Sequence, residues 1–295
     1  MEIRPLQRDD GDAVLELWNR AASHDLLTIG LLEEKTWDDD DFDPDLAIVA
    51  VEGGDILGFA VGVLRPEARR GYVKLLAVEP ARQREGIGRA LVETLETGLT
   101  RKGARTIRLL ESAPNYLAPG VDTRDAAALA FAAASGYRQV GEARNLSVDL
   151  APRSATRAVP DGVAVRRATR DDSAPLDAFL DAHWPSWAAE VGIALNNQPP
   201  TLHIALRDGR AVGFAAWDAN NRGTGWFGPM GTAPEARRRG LGQLLLYRCL
   251  DDIRESGMAY ATIPWVDPVE FYRRCAGAAV ERVFHRYEKV LEPCV

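Results

Sequence analysis

Cysteine is scarce in this chain. Cys249, Cys275 and Cys294 are odd in number and follow no spacing, so a disulfide framework is not expected and a reducing, cytoplasmic setting is. Histidine is nearly as rare. His24, His183, His203 and His285 form no metal-ligand spacing, and no metal is expected. Long apolar runs are missing too: the alanine-rich stretch Ala126–Ala134 has nine residues, far short of a bilayer span. The start, MEIRPLQRDD, is charged from residue 2 and lacks the apolar centre of a secretion signal. Basic excess is absent: the net charge is −7, which argues against nucleic acid or a membrane as partner.

What the chain does contain is a repeat. Residues 73–91 read VKLLAVEPARQREGIGRAL and residues 227–245 read FGPMGTAPEARRRGLGQLL. Pro80 and Pro234 lie 154 positions apart, as do Gly86 and Gly240, and Gly88 and Gly242. Each block is a short apolar strand, a Pro turn, a loop with G-x-G, then an amphipathic helix. The repeat extends outward. IRPLQRDD (3–10) resembles VRRATRDD (165–172), each a strand leading to a D-D helix start. LAIVAVEGGDILGFAVG (46–62) resembles LHIALRDGRAVGFAAW (202–217), each a β-hairpin with Gly in its turn. Gly103 and Gly257 end the two amphipathic helices as C′ glycines. The expected order in each half is β-α-β-β-β-α-β-α-β, with last strands at 145–149 and 286–291. At 295 residues, 46% hydrophobic and 27% charged, the chain fits two domains with their own cores: 1–150, a Pro/Ala/Arg-rich linker 151–162, and 163–295. The first half carries an extra segment, SAPNYLAPGVDTR (112–124). The fold class is α/β, each domain a twisted mixed sheet with helices on both faces.

The glycine loops suggest an anion site. A helix N-terminus leaves backbone N–H groups unpaired and carries partial positive charge. Glycine there permits close approach, so a diphosphate fits the cradle. Arg82, Arg84 and Arg89, or Arg237, Arg238 and Arg239, add cationic support. A Walker loop is excluded because no Lys-Ser/Thr follows; a Rossmann fingerprint is incomplete because only G-x-G is present.

At these residues the chain resembles the GCN5-related N-acetyltransferase (GNAT) superfamily, in tandem. That family's [QR]-x-x-G-x-[GA] signature is matched by Gln83-Arg84-Glu85-Gly86-Ile87-Gly88 and Arg237-Arg238-Arg239-Gly240-Leu241-Gly242. The preceding strands Leu76-Ala77-Val78 and Met230-Gly231-Thr232 fit as well. The resemblance covers nearly the whole chain. It implies acetyl-CoA as donor, with the pyrophosphate in the loop and the pantetheine amides along the strand. A finer resemblance, carried by GPMGTAPEARRRGLGQLLL, DPVEFY and PGVD (119–122), is to tandem glucosamine/glucosaminide N-acetyltransferases. Mycothiol synthase is a second tandem relative of the same type.

The resemblance also implies site residues. The family's proton donor to the departing thiolate is a Tyr on the helix after the fifth strand. Tyr272, in Glu270-Phe271-Tyr272-Arg273, supplies it. Aligning Phe131 with Phe271 puts Ala132 at that place in the first half, so catalysis is expected in the second half only. Asp267 is the candidate base, although Asp267-Pro268-Val269-Glu270 also reads as a helix start with Asp at the N-cap. Glu111 is its first-half counterpart. Trp184, Trp187 and Trp265 are expected to wall the acceptor pocket, since aromatic faces suit sugar rings and amine cations. The expected function is acetyl-CoA-dependent N-acetylation of a small amine such as glucosamine or another amino sugar, by direct transfer, in a monomer (a fused pseudo-dimer) or a homodimer. An acetyl-CoA sensor without turnover stays open. So do a mycothiol-type precursor, an antibiotic or a protein amine as acceptor.

Overall fold

The computed structural model describes residues 1–22, 24–150 and 158–291. The first half forms β1 (Glu2–Pro5), α1 (Gly11–Ala21), α2 (Ile29–Lys35), β2 (Ala47–Glu52), β3 (Asp55–Arg65), β4 (Arg70–Val78), α3 (Ile87–Arg101), β5 (Thr106–Leu109), β6 (Val121–Asp122), α4 (Ala126–Ala134) and β7 (Arg138–Asp149). The second forms β8 (Ala164–Arg167), α5 (Ser173–His183), α6 (Ala188–Asn196), β9 (Leu202–Arg207), β10 (Arg210–Trp217), β11 (Phe227–Thr232), α7 (Leu241–Glu255), β12 (Tyr260–Ile263), α8 (Val269–Ala276) and β13 (Ala279–Val290). Both hairpins form where expected, and Gly103 and Gly257 follow their helices with φ of +98° and +97°. Each half also has a short second helix, α2 or α6, beyond the expected order.

The chain folds as two compact units: Met1–Ala143 with Val283–Val295, and Arg144–Arg282. The last strand of each half therefore belongs to the other unit. The pattern places 145–149 as the closing strand of the first half; residues 146–149 instead pair with β12, Asp149 opposite Tyr260 and Leu146 opposite Ile263. Of the expected last strand 286–291, residues 288–290 pair with β5, Val290 opposite Thr106. The physical reason is that alternating strands such as Leu146-x-Val148-x-Leu150 suit either sheet edge, so the pattern does not choose between them. Of the linker 151–162, residues 151–157 lie outside the described residues, as does Cys294.

In the first unit the order is β1-β2-β3-β4-β5-β13, antiparallel except for the parallel β4–β5 pair. Strand periodicity divides its core. Ala47, Val49, Phe59, Val61 and Leu75 face Val14, Leu17, Leu31 and Leu32 of α1 and α2. Ile48, Ala50, Ala60 and Val73 face Leu91, Leu95 and Leu99 of α3 and Ala132 of α4. In the second unit, β8-β9-β10-β11 are antiparallel. Their core joins Leu176 and Phe179 of α5, Val191 of α6, Leu245, Cys249 and Ile253 of α7, and Leu146 and Val148 of β7.

The repeated D-D segments have a common cause. Asp10 accepts two hydrogen bonds from the Arg4 guanidinium (2.7 and 2.8 Å) and one from the Gln7 N–H. Asp172 does the same with Arg166 (2.6 and 2.8 Å) and the Thr169 N–H. Both acids are held below the ordinary value of 3.8, Asp172 at about 2, chiefly by the arginine bond. A folded-state value below the unfolded one gives stability that is full above that unfolded value and lost as pH falls toward the folded one. Asp172→Asn should thus cost about 1 kcal/mol at neutral pH, discounted for the half-exposed guanidinium. Denaturant midpoints should show the deficit shrinking from pH 4 toward pH 2.

Candidate active site

Each unit builds the same frame. On β4 the ladder to β3 steps from Leu75 opposite Val61 to Val73 opposite Gly62, leaving Lys74 bulged. On β11 the ladder to β10 steps from Met230 opposite Ala215 to Phe227 opposite Trp217, with Gly228 and Pro229 in the bulge. Lys74 and Gly228 are 154 positions apart, so the bulges correspond. Past its bulge β4 leaves β5, which pairs only with residues 70–73. Likewise, among the described residues only a Trp226–Thr262 bridge links the start of β11 to β12. Leu76, Ala77 and Val78, and Met230, Gly231 and Thr232, therefore lie on splayed edges able to pair with ligand amides.

The loops follow. Arg84 and Gly86 have φ of +70° and +89°, and Arg238 and Gly240 have +59° and +80°. Gly86 and Gly240 occupy the N-cap positions of α3 and α7, where a left-handed turn aims successive N–H groups into a concavity. Gln83 closes the first loop by donating to the Val78 carbonyl at 3.3 Å, and Arg237 closes the second by donating to the Thr232 carbonyl at 3.3 Å. A Cβ on Gly88 would stand 3.4 Å from Phe131, and one on Gly242 would stand 3.6 Å from Phe271. Both are ordinary contacts, so packing within the chain does not demand glycine there. The absence of a side chain leaves the concavity open at both positions, with room for the close approach that a diphosphate would make.

The loops differ in charge. Positions 83–85 are Gln, Arg and Glu; positions 237–239 are three arginines. Arg82 is occupied by Glu85 at 2.8 Å and Glu52 at 3.0 Å. Arg238 and Arg239 are exposed and form no ion pair among the described residues. The second loop therefore carries the greater positive charge.

Phe131 of α4 and Phe271 of α8 sit at the same place, each against the second glycine of its loop. The next residue is Ala132, fully enclosed, in the first unit, and Tyr272, 8% exposed, in the second. The Tyr272 ring lies edge-on to Phe271 (5.0 Å) and Phe227 (6.2 Å). Burial pushes its hydroxyl well above the ordinary 10.0, so it stays a proton carrier at any physiological pH. The carboxylates beside it are less suited to chemistry. Glu270 is exposed and paired with Arg273 at 2.8 Å and with Arg274, which hold its carboxyl down to about 2. Asp267 is exposed, and it does not cap the helix. α8 begins at Val269 with no side-chain cap, because Pro268 itself, with ψ of 63°, lies outside helical geometry and takes the N-cap position.

Trp184 and Trp187 come together, stacked at 5.2 Å and 21°. Phe179 and Phe214 back them at 5.6 and 6.2 Å. The Trp184 ring lies so close over Gly231 that a Cβ there would be 2.6 Å away. The aromatic pair thus meets the strand expected to carry the donor. Trp265 follows β12 in a left-handed conformation, φ +46°.

The matching face of the first unit holds charges that pattern reading missed. Lys35 is fully buried with Glu34 at 2.6 Å and Asn115 at 2.8 Å, and burial lowers it to about 8. Lys74 is buried against Asp39. Arg65 joins Asp41 and the carbonyls of Ser112 and Ala113. Glu111 is buried between Arg108 (2.6 Å) and Arg286 (2.7 Å). The extra segment 112–124 supplies several of these partners, and sequence spacing could not have revealed contacts such as Lys35 with Asn115.

A family model described as the Acetyltransferase (GNAT) family matches residues 12–137 and 166–277. A mycothiol acetyltransferase of Clavibacter michiganensis subsp. michiganensis is 27% identical over 293 residues, 92% of this chain and 90% of the relative. Among solved structures, a GCN5-related glucosamine N-acetyltransferase region of a fungal multi-domain GH3 beta-N-acetylglucosaminidase superposes with a TM-score of 0.80 at 21% identity. That match covers 98% of this chain and 38% of that longer protein. A tandem GNAT protein from the clavulanic acid biosynthesis pathway gives 0.74 at 18% identity, covering 100% and 99%. Among the described residues no helix is long and apolar enough to cross a membrane.

Proposed function

The chain belongs to the Acetyltransferase (GNAT) family, and within it we propose that the Arg144–Arg282 unit is the catalyst, an acetyl-CoA-dependent N-acetyltransferase for a small amine of amino-sugar type. One observation carries the assignment: on two matching frames, only the second places a hydroxyl, Tyr272, where the first has Ala132. Acetyl-CoA, when bound, supplies the acetyl thioester. The residues 237–242 loop binds its diphosphate, and the free edge of 230–232 aligns the amide-bearing arm. The neutral amine forms the new N–C bond, the C–S bond breaks, and Tyr272 Oη–H gives its proton to the sulfur. The amine's surplus proton leaves to solvent, with exposed Asp267 as a relay. Trp184 and Trp187 offer a flat apolar wall beside that edge, and it suits the C–H face of a sugar. The names of two relatives, one for glucosamine and one for mycothiol, support the same acceptor class.

In the first unit Ala132 stands where the second has Tyr272, Lys74 is buried in the bulge against Asp39, and Glu111 is clamped by Arg108 and Arg286. We read it as the non-catalytic partner. The test is thiol release from acetyl-CoA against glucosamine, a glucosamine-bearing mycothiol precursor, an aminoglycoside antibiotic and a peptide with a free N-terminus. Faster release with the two glucosamine compounds is expected. Release no faster than spontaneous hydrolysis with every amine would leave the sensor reading in its place.

A further inference from the structure

The two frames exchange a pair of side chains. Helices α1 and α5 are each eleven residues long and end alike. The Ala22 N–H donates to the Trp18 carbonyl and the Trp184 N–H to the Leu180 carbonyl, both at 2.7 Å. Ala22 and Trp184 are 162 positions apart, the offset of the D-D segments, so they hold the same C-cap. Ala77 and Gly231 are 154 apart and stand opposite Phe59 and Phe214 in their ladders. An Ala–Ala pair in the first unit is thus a Trp–Gly pair in the second. The reason is steric. The three atoms nearest to where a Gly231 Cβ would stand all belong to the Trp184 ring, at 2.6, 2.9 and 3.0 Å. Glycine at 231 lets the indole rest on the strand.

Gly231 is the middle of the free edge 230–232. The glycine loop takes up at the Thr232 end, where Arg237 donates to the Thr232 carbonyl. Tyr272 stands toward the other end, its ring 6.2 Å from that of Phe227. A donor with its diphosphate in the loop and its sulfur at Tyr272 therefore runs past Gly231. Strand alternation decides what it meets on each side. Thr232 faces α7, its Cγ2 3.8 Å from where a Cβ on Gly242 would stand, and Phe271 of α8 lies against the same glycine. Gly231 faces the other way, and there Trp184 covers the edge. With the proton donor on one side of the sulfur, the acyl group and the amine have the side of Trp184.

The indole is also held firmly. Its backbone is fixed by the bond to Leu180 and by the Trp187 N–H, which donates to the Trp184 carbonyl at 3.0 Å. Its ring packs on Trp187 at 5.2 Å, His183 at 5.4 Å and Phe179 at 5.6 Å. A chain one carbon longer than acetyl meets a wall that does not swing aside. We propose that Trp184, seated on Gly231, sets the length of the acyl group that the second unit transfers: it leaves room for acetyl and blocks propionyl and longer chains. The inference rests on the reading that Arg144–Arg282 is the catalytic unit. It gives Trp184 a role toward the donor, in addition to the acceptor wall it forms with Trp187.

The test measures kcat/KM for acetyl-, propionyl- and butyryl-CoA in the full chain, each with the same amine, the one that gives the fastest thiol release from acetyl-CoA. Because the amine is shared, a change in its binding cancels from the ratio between donors. The wild type should favour acetyl over propionyl by at least about tenfold, the scale of one methylene against a fixed pocket wall. In Trp184→Ala the ratio should fall below about threefold and butyryl transfer should rise. If Trp184→Ala does not fold, Trp184→Ala combined with Gly231→Ala copies the Ala22–Ala77 pair of the first unit and should relax the ratio alike. A wild type indifferent to acyl length overturns the inference. So does a ratio unmoved in these variants while the amine KM rises, which makes Trp184 an acceptor wall only. Tyr272→Phe tests the underlying reading separately, and it should slow all three donors together. If it slows none, the catalytic unit is misassigned and the inference goes with it.

Discussion

Replacing Tyr272 by Phe should lower kcat by roughly 10² to 10³ while both KM values stay within about threefold. The size follows from the role. A proton given to the departing sulfur matters in the transition state and little in the bound ground state, so the loss falls on kcat. The fold should survive, because the ring keeps its edge-on contacts with Phe271 and Phe227 and only one oxygen is removed. The hydroxyl has no hydrogen-bond partner among the described residues, so no second group is orphaned. The pH dependence has a definite sign. Burial raises the Tyr272 value above its ordinary 10.0, so the donor keeps its proton through that pH. The wild-type kcat should show no alkaline fall near pH 10 from this group. Unchanged kcat in Tyr272→Phe would falsify the donor role; an equal fall in acetyl-CoA affinity would move the residue to binding.

Much of this was legible in the residues themselves. The hairpins, the two glycine loops and the paired D-D segments follow local rules: turn chemistry, left-handed φ, and an arginine six positions before an aspartate. Even the Tyr272–Ala132 contrast is a matter of register. Elsewhere the decisive contacts are remote. Leu146 and Val148 would pack under either sheet, and only closure of the whole chain assigns them to the second unit. The seven residues of α2 are too few to display a helical period, and Thr28, which caps Leu31 at 3.2 Å, is the local signal available. Asp267 looks like a cap, but Pro268 takes a non-helical ψ of 63° and the helix starts one residue later than the pattern suggests. Lys35 and Asn115 lie 80 positions apart, and the cluster they anchor exists only because the extra segment folds back on α2. The frame is thus local in origin, whereas the difference between the units is tertiary.

That difference yields the second large effect. Gly240→Asp should abolish turnover, with acetyl-CoA binding to the second unit lost, while Gly86→Asp should leave turnover within about twofold. At Gly240 the backbone has φ +80°, a conformation aspartate adopts at a cost of about 1 kcal/mol. Aspartate tolerates a left-handed backbone better than most non-glycine residues, so melting should shift by only a few degrees. What aspartate cannot do is share the cradle with a diphosphate: its carboxylate would sit where the N–H groups of α7 and Arg238 and Arg239 draw negative charge. The same substitution at Gly86 meets the same backbone, φ +89°, in a loop that already holds Glu85. Calorimetric titration with acetyl-CoA separates the cases. Two sites in the wild type, with one lost in each variant and activity lost only in Gly240→Asp, would mean that the first loop still binds without serving transfer. One site, lost only in Gly240→Asp, would mean that Glu85 and the paired Arg82 have already ended binding there. Loss of turnover in Gly86→Asp, with the second site still titrating, would contradict a single catalytic unit, because it would show that occupancy of the first loop governs chemistry at Tyr272.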